Sequence, residues 1–255
     1  MTVYELYLKL TERIPSELSC SWDGDGFEVC SDKDRKVRRV LIALDVTNDV
    51  IDKAIEEKYD VIISHHPLFF KGLKEISALS PDGARAVKLI KNDISVMTFH
   101  TRLDAVSGGV NDTLAALLGL CDFETVEYNG EALVRVGELE NEMTPRDFAS
   151  LVKEKLSAPS VTLSECGKSV KRVALLGGSG SGEIKAGIYA GADTYLTGEL
   201  KYHDYLSARD FGVNLVSAGH FYTEYPVCEI LKKFVLDIDP EIEAKVFFSD
   251  KVTVI

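Results

Sequence analysis

Four of the five histidines follow short apolar runs, and two of those runs close on the same spacing. His100-Thr101-Arg102-Leu103-Asp104 follows residues 94–99, and His220-Phe221-Tyr222-Thr223-Glu224 follows residues 214–218, so both read His-x-x-x-carboxylate. The pair His65-His66 ends a third run, residues 60–64. Imidazole nitrogen and carboxylate oxygen gathered at strand ends are the donors a divalent cation of borderline hardness takes. Neighbouring residues on a strand point to opposite faces, so His65 and His66 suit two ions better than one. Pro67 holds His66 extended and ends the strand. Asp104 and Glu224 are the natural carboxylate ligands. Each meets its own histidine if the turn after the strand is helical, which is less assured for Asp104 ahead of Gly108-Gly109. Glu224 is long enough to bridge two ions. His100 and His203 stay open between ligand, hydrogen-bond donor to a ligand, and general acid or base; for His203 a plain surface role is also expected.

Three loops could contribute. Residues 177–182, Gly-Gly-Ser-Gly-Ser-Gly, follow an apolar run and precede a helical one, so the backbone of Gly178, Ser179 and Gly180 is a candidate phosphate cradle. The loop lacks the Gly-Lys-Ser/Thr ending and the G-x-G-x-x-G spacing of nucleotide fingerprints, and a tight turn is the alternative. Asp45-Val46-Thr47-Asn48-Asp49 could hydrogen-bond ligands or cap a helix through Thr47 or Asn48. Trp22-Asp23-Gly24-Asp25-Gly26 could lend carboxylates to a metal, but reads as a surface turn.

The elements that position these residues repeat. Val37-Arg-Arg-Val40-Leu-Ile and Val170-Lys-Arg-Val173-Ala-Leu open segments that align without gaps through residues 60–64 over 193–197, ending with His65-His66 over Gly198-Glu199. The two His-x-x-x-acid motifs fall in matching places, each before an amphipathic helix (residues 110–119 and 225–236). This predicts an α/β protein of two similar α/β domains produced by internal duplication. The domains are 1–126 and 127–255, with the last elements able to pack onto the first, and the metal site lies in the cleft between them. Runs 40–44 and 173–176 are nearly continuous in apolar residues, as strands covered on both faces are. Open α/β sheets bind ligands beyond the carboxyl ends of their strands, where His65, His66, His100, Asp104, Glu199, His220 and Glu224 fall.

Composition narrows the classes. The 255 residues, 45% hydrophobic with mean hydropathy +0.01, describe a soluble globular protein with a sizeable core. A net charge of −12 opposes direct nucleic-acid binding. Residues 33–39, the one dense basic stretch, read as solvated surface. Five cysteines without a C-x-x-C pair indicate reduced, mostly buried thiols and a cytoplasmic location. No run is long enough to span a membrane, and the amphipathic start (Val3, Leu6, Leu10, Ile14) is not a signal peptide.

Ser64-His-His-Pro-Leu68, His100-Thr-x-Leu-Asp104 with Gly108-Gly-Val-Asn-Asp112, Gly198-Glu-x-Lys-Tyr-His203 and Gly219-His220-x-x-Thr-Glu224 together resemble the GTP cyclohydrolase I type 2 homologue family, the Nif-three-like dinuclear-metal proteins. Trp22-Asp-Gly-Asp-Gly26 resembles that family's Trp-Asp-Asn-x-Gly element, with Gly24 in place of the Asn. The resemblance runs nearly end to end and implies a short form, without the extra domain that long members carry between the halves. It implies two divalent ions per chain held by His65, His66, Asp104, His220 and Glu224, with Glu224 spanning both. It also implies a homo-oligomer, a hexameric ring of dimers.

Two classes of function follow. A metal-dependent hydrolase would use paired cations to activate water, with His100 or His203 moving protons. In a GTP cyclohydrolase the attack falls on C8 of guanine and releases formate, so a nucleotide-like small molecule is the expected partner. A dinuclear phosphoesterase is a related option, though the further Asp motifs of the DHH type are absent. The other class is a carrier, inserter or regulator that binds metal without turnover. Mixed N and O donors favour zinc, iron or manganese.

Overall fold

Val3, Leu6 and Leu10 recur at helical spacing, and they are the buried face of the first helix, α1 (Val3–Arg13). Thr2 and Glu5 close a reciprocal cap at its start: the Glu5 N–H donates to Thr2 Oγ1 (3.2 Å) and the Thr2 N–H to Glu5 Oε2 (2.7 Å). The computed structural model describes residues 1–255. After α1 the chain forms β1 (Gly26–Val29), β2 (Arg39–Ala43), α2 (Asn48–Glu56), β3 (Val61–Ser64), α3 (Pro81–Lys91), β4 (Ser95–Thr98) and α4 (Thr101–Ala105). There follow α5 (Val110–Leu117), β5 (Leu120–Tyr128), β6 (Glu131–Met143), α6 (Pro145–Lys155), β7 (Thr162–Ser164), β8 (Val170–Leu176), α7 (Ile184–Tyr189), β9 (Thr194–Thr197), α8 (Tyr202–Asp210), β10 (Asn214–Ser217) and α9 (His220–Glu224). The last elements are α10 (Val227–Ile238) and β11 (Glu243–Phe247).

The chain divides into two α/β units. Unit 1 is Met1–Val106 with Val227–Lys251, and unit 2 is Ser107–Pro226 with Val252–Ile255. Unit 1 holds a five-stranded sheet ordered β1-β4-β3-β2-β11, in which only β1 is antiparallel to its neighbour. Unit 2 holds a six-stranded sheet ordered β5-β6-β8-β9-β10-β7. Its β8, β9 and β10 run parallel, with antiparallel partners on both sides. Each sheet has its own apolar core, Leu41, Val50, Ile62, Leu89 and Val96 in unit 1 and Leu114, Phe148, Val173, Leu196 and Val216 in unit 2.

The repeat read from sequence is reproduced in the hydrogen-bond register. Val40 pairs with Val61 in unit 1, and Val173 with Thr194 in unit 2, the gapless correspondence of the two segments. Asp60 Oδ2 accepts the N–H groups of Arg38 (2.8 Å) and Arg39 (3.0 Å), and Asp193 Oδ2 accepts those of Lys171 (2.9 Å) and Arg172 (2.7 Å). The same carboxylate thus ties the entry of the first parallel strand to the second in both repeats. The helices that end the repeats are distributed crosswise. α5, which follows α4, packs on β8 and α9 in unit 2, while α10, which follows α9, packs on β2 and α1 in unit 1. Residue 126, where the sequence suggests a boundary, therefore lies inside β5, and the last elements α10 and β11 belong with unit 1.

Local readings differ in two places. Only Cys20 and Cys228 are buried, while Cys30 and Cys121 are exposed. The basic stretch is partly structural: Arg35 pairs with Asp60 at 2.8 Å, and its carbonyl accepts the Val3 N–H (2.9 Å) at the start of α1.

Candidate metal centre

In unit 1 the continuous apolar strands β2, β3 and β4 end side by side, and His65 and His66 leave β3 at that edge. The His66 N–H donates to the Leu44 carbonyl (2.9 Å), and the Ser64 hydroxyl donates to the His66 carbonyl (2.8 Å), which fixes the turn. His100 caps α4, and that helical turn carries Asp104 one turn on, where its N–H donates to the His100 carbonyl (3.3 Å). The turn expected to be doubtful ahead of Gly108-Gly109 is formed.

The three imidazoles of unit 1 share one arrangement. Nδ1 of His65 lies 3.0 Å from the Phe99 carbonyl, Nδ1 of His66 lies 2.7 Å from Asp45 Oδ1, and Nδ1 of His100 lies 3.0 Å from Asp23 Oδ2. A carbonyl or carboxylate oxygen only accepts, so each Nδ1 carries a proton, and in the neutral ring Nε2 is then the nitrogen with the lone pair. An oxygen acceptor on the far nitrogen is the usual support of a metal-bound histidine, because it sets the ring's orientation and raises its basicity. Ligand atoms of the three residues lie within 4.8 Å of one another, and Asp104 Oδ1 lies 3.7 Å from His65 Nε2. The donor set could hold a metal ion.

Unit 2 supplies a second donor pair. α9 starts at His220 behind Gly219, whose φ of 86° is open to glycine without strain. One turn later Glu224 is buried, and its Oε2 lies 3.0 Å from His220 Nε2, while His220 Nδ1 lies 3.4 Å from Glu199 Oε1. The glycine-rich loop lies directly against this pair. A Cβ on Gly178 would run into Glu224 Oε1 and come within 2.9 Å of its Cδ and 3.1 Å of His220 Nε2. Gly178 donates its N–H to Thr223 Oγ1 (3.0 Å) and Gly180 to Thr197 Oγ1 (3.0 Å), so a phosphate seated on these groups would have to displace both hydroxyls. Ser179 instead lines a polar cavity with Glu199, Lys201, Tyr205 and Ser217. His203 lies on α8 with its side chain 72% exposed, 3.5 Å from Asp204 Oδ1.

The two His-x-x-x-acid motifs are one residue out of step in the fold. The Phe99 N–H donates to Ser64 and the Ala218 N–H to Thr197, which makes Phe99 and Ala218 equivalent and sets His100 opposite Gly219. His100 is accordingly the residue before its helix, whereas His220 is the first residue within one.

The residues that the sequence reading undervalued are Asp23 and Asp25. The side chains of both are buried, although the turn itself is partly exposed. Asp23 Oδ2 accepts the Thr101 N–H (3.0 Å) and hydroxyl (2.7 Å) besides facing His100, and Asp25 Oδ2 accepts the His100 N–H (2.9 Å) and Arg102 Nε (2.8 Å). Burial would raise the Asp23 carboxyl, but the hydrogen bonds from His100 and Thr101 outweigh it and hold the group well below the usual carboxylate range. The Gly residues flanking both aspartates were the available signal, since tight turns let two nearby side chains reach inward.

These features define a class: an α/β protein with imidazoles and carboxylates, at metal-ligand spacing, beyond the carboxyl ends of parallel strands. The chain belongs to the Duf34/NIF3 (NGG1p interacting factor 3) family, whose model matches residues 1–253. It is 32% identical over 236 residues to the GTP cyclohydrolase 1 type 2 homolog of Clostridium perfringens, covering 90% of this chain and 89% of that one. Among solved structures it is similar to a Staphylococcus aureus hypothetical protein, with a TM-score of 0.91 at 32% identity over 100% of this chain and 99% of the other. A Bacillus cereus protein related to NIF3 gives 0.90 at 25% identity, covering 100% and 99%. No helix is long and apolar enough to cross a membrane.

Proposed function

We propose that this protein binds two divalent cations through His65, His66, Asp104, His220 and Glu224 and is a metal-dependent hydrolase of a nucleotide-like small molecule. The observation that supports it most is the common support of the unit 1 imidazoles, each with Nδ1 on an oxygen acceptor of the kind that orients a metal-bound histidine. Bound cations would supply Lewis-acid polarisation and make water more acidic. Glu224 would be the carboxylate shared between the ions, and the glycine at 178 leaves room for it. Asp23 holds the His100 proton at Nδ1, so that proton exchange with a substrate takes place at Nε2. The name of the Clostridium perfringens relative favours GTP as the first substrate to try. Screening zinc-, iron- and manganese-loaded protein against nucleotides, with mass detection of products, tests the hydrolase reading. Saturable turnover supports it, and none with any loading rejects it.

The second reading is a carrier or regulator that binds metal without turnover. It is favoured by the few basic groups near the glycine-rich loop, where Lys201 is the one cation lining the cavity that Ser179 shares. A carrier exchanges its ions readily with a chelator, whereas a hydrolase retains them. A homohexamer is part of the same proposal and is tested by light scattering on the eluted protein.

A further inference from the structure

Two large aromatic side chains stand exposed beside the imidazoles of unit 1. Trp22 is 59% exposed and Phe70 67% exposed, with ring centroids 6.3 Å apart and planes tilted by 35°. Each meets His100 nearly perpendicularly, Trp22 at 6.0 Å and Phe70 at 5.7 Å. Exposed aromatic side chains on loops are ordinarily free to reorient, but both of these follow or precede backbone that a carboxylate pins. Trp22 directly precedes Asp23, which is anchored on His100 and Thr101. Phe70 directly follows Phe69, whose N–H, with that of Leu68, donates to the two oxygens of Glu28 (2.9 and 2.7 Å). Glu28 is itself held by the Thr98 hydroxyl (2.6 Å). Hydrogen-bonded carboxylates thus hold the chain beside two apolar rings that remain accessible.

We infer that Trp22 and Phe70 form a stacking platform for the planar heteroaromatic ring of a ligand whose other end reaches His100 and its neighbouring imidazoles. A flat ring covers an aromatic face without a specific hydrogen-bond pattern, and its contact with His100 places it at the imidazole group. A protein partner is a poorer occupant. Two aromatic side chains offer roughly 150–250 Å² each, well short of the roughly 800 Å² per partner that a stable protein interface buries. The inference deepens the hydrolase reading by naming what recognises the substrate. It depends on that reading only for the fate of the ligand's reacting end.

Trp22 is the only tryptophan in the chain, so its emission reports on the platform alone. Guanosine, cytidine, nicotinamide and, as a ring-free control, ribose are titrated against the purified protein, with metal content measured in the same samples. The expected result is a saturable change in emission with at least one of the three rings and none with ribose. Phe70→Ala, at an exposed position, should weaken that binding roughly five-fold or more. Trp22→Leu, followed by equilibrium dialysis of the ring compound, should weaken it likewise. Metal-loaded protein that responds to none of the three rings overturns the inference, as does unchanged affinity in Phe70→Ala. Saturable binding by protein that never holds metal leaves the platform standing and removes the metal reading instead.

Discussion

Asp23 Oδ2 lies 3.0 Å from His100 Nδ1 and accepts two further hydrogen bonds from Thr101, so one buried carboxylate sets both the tautomer of the histidine and the start of its helix. Asp23→Ala should disturb the tautomer, because the one oxygen that faces His100 Nδ1 also accepts from Thr101, and its removal takes away the acceptor that favours Nδ1–H. Nitrogen NMR shifts of the His100 ring are the measurement. Wild-type protein should show the proton on Nδ1, and the variant a shift of population toward Nε2–H. An unchanged ring would mean that Asp23 does not control it.

Asp60 and Asp193 each bind two consecutive backbone N–H groups at the entry of a parallel strand. Removing either acceptor by alanine takes the partner from two part-buried N–H groups, at a cost of about 1–2 kcal/mol. Asp60→Ala should be the costlier, since Asp60 also holds Arg35 through Oδ1. Denaturant unfolding of the two variants measures both losses; a change below about 0.5 kcal/mol in either would contradict the clamp.

These clamps also explain what was legible beforehand. The strands were readable because runs such as 40–44 and 173–176 are apolar on both faces, and β2 and β8 lie there. The duplication was readable because strand pairing preserves spacing, and Asp60 over Asp193 is part of that spacing. Asp23, Asp25 and Arg102 were not, because a buried charged residue has the same letter as a solvated one and its partner is distant in sequence. Nor was the crosswise placement of α5 and α10, since an amphipathic helix shows which face it buries but not against which sheet. The one-residue offset between His100 and His220 was hidden because matching motifs suggested matching positions, and only the strand register separates them.

Glu183 gives a pH dependence. Burial, and secondarily the charge of Glu131, raise its carboxyl above the ordinary value, beside the buried Tyr195 hydroxyl that burial and Glu183 also push up. A carboxyl whose folded pKa lies above its unfolded value contributes stability that is fully present below the unfolded pKa, about 4.3, and is lost as pH rises through the folded one. Glu183→Gln should therefore raise Tm at pH 7, with the gain disappearing below about pH 4. Thermal melts of both proteins across that range decide it; an equal gain at both ends would show that charge is not the cause.

Within the proposed ligand set, Glu224→Gln should lose both ions, whereas Asp104→Asn should lose mainly one, because an amide cannot neutralise two cations. Metal content of the purified variants reads this directly. Full occupancy in Glu224→Gln would refute the bridging assignment. His203→Ala, at an exposed position on α8, should keep its metal. Loss of metal in His100→Ala would make that residue a sixth ligand and not a proton carrier.

The histidines and carboxylates at these strand ends are proposed to hold a pair of cations. Elemental analysis of wild-type protein, purified gently without chelator and referred to protein concentration, tests this most directly. Close to two divalent ions per chain are expected, drawn from zinc, iron and manganese. One ion per chain would remove the bridge assigned to Glu224, and protein that neither arrives with metal nor takes it up on dialysis would rule out the metal centre.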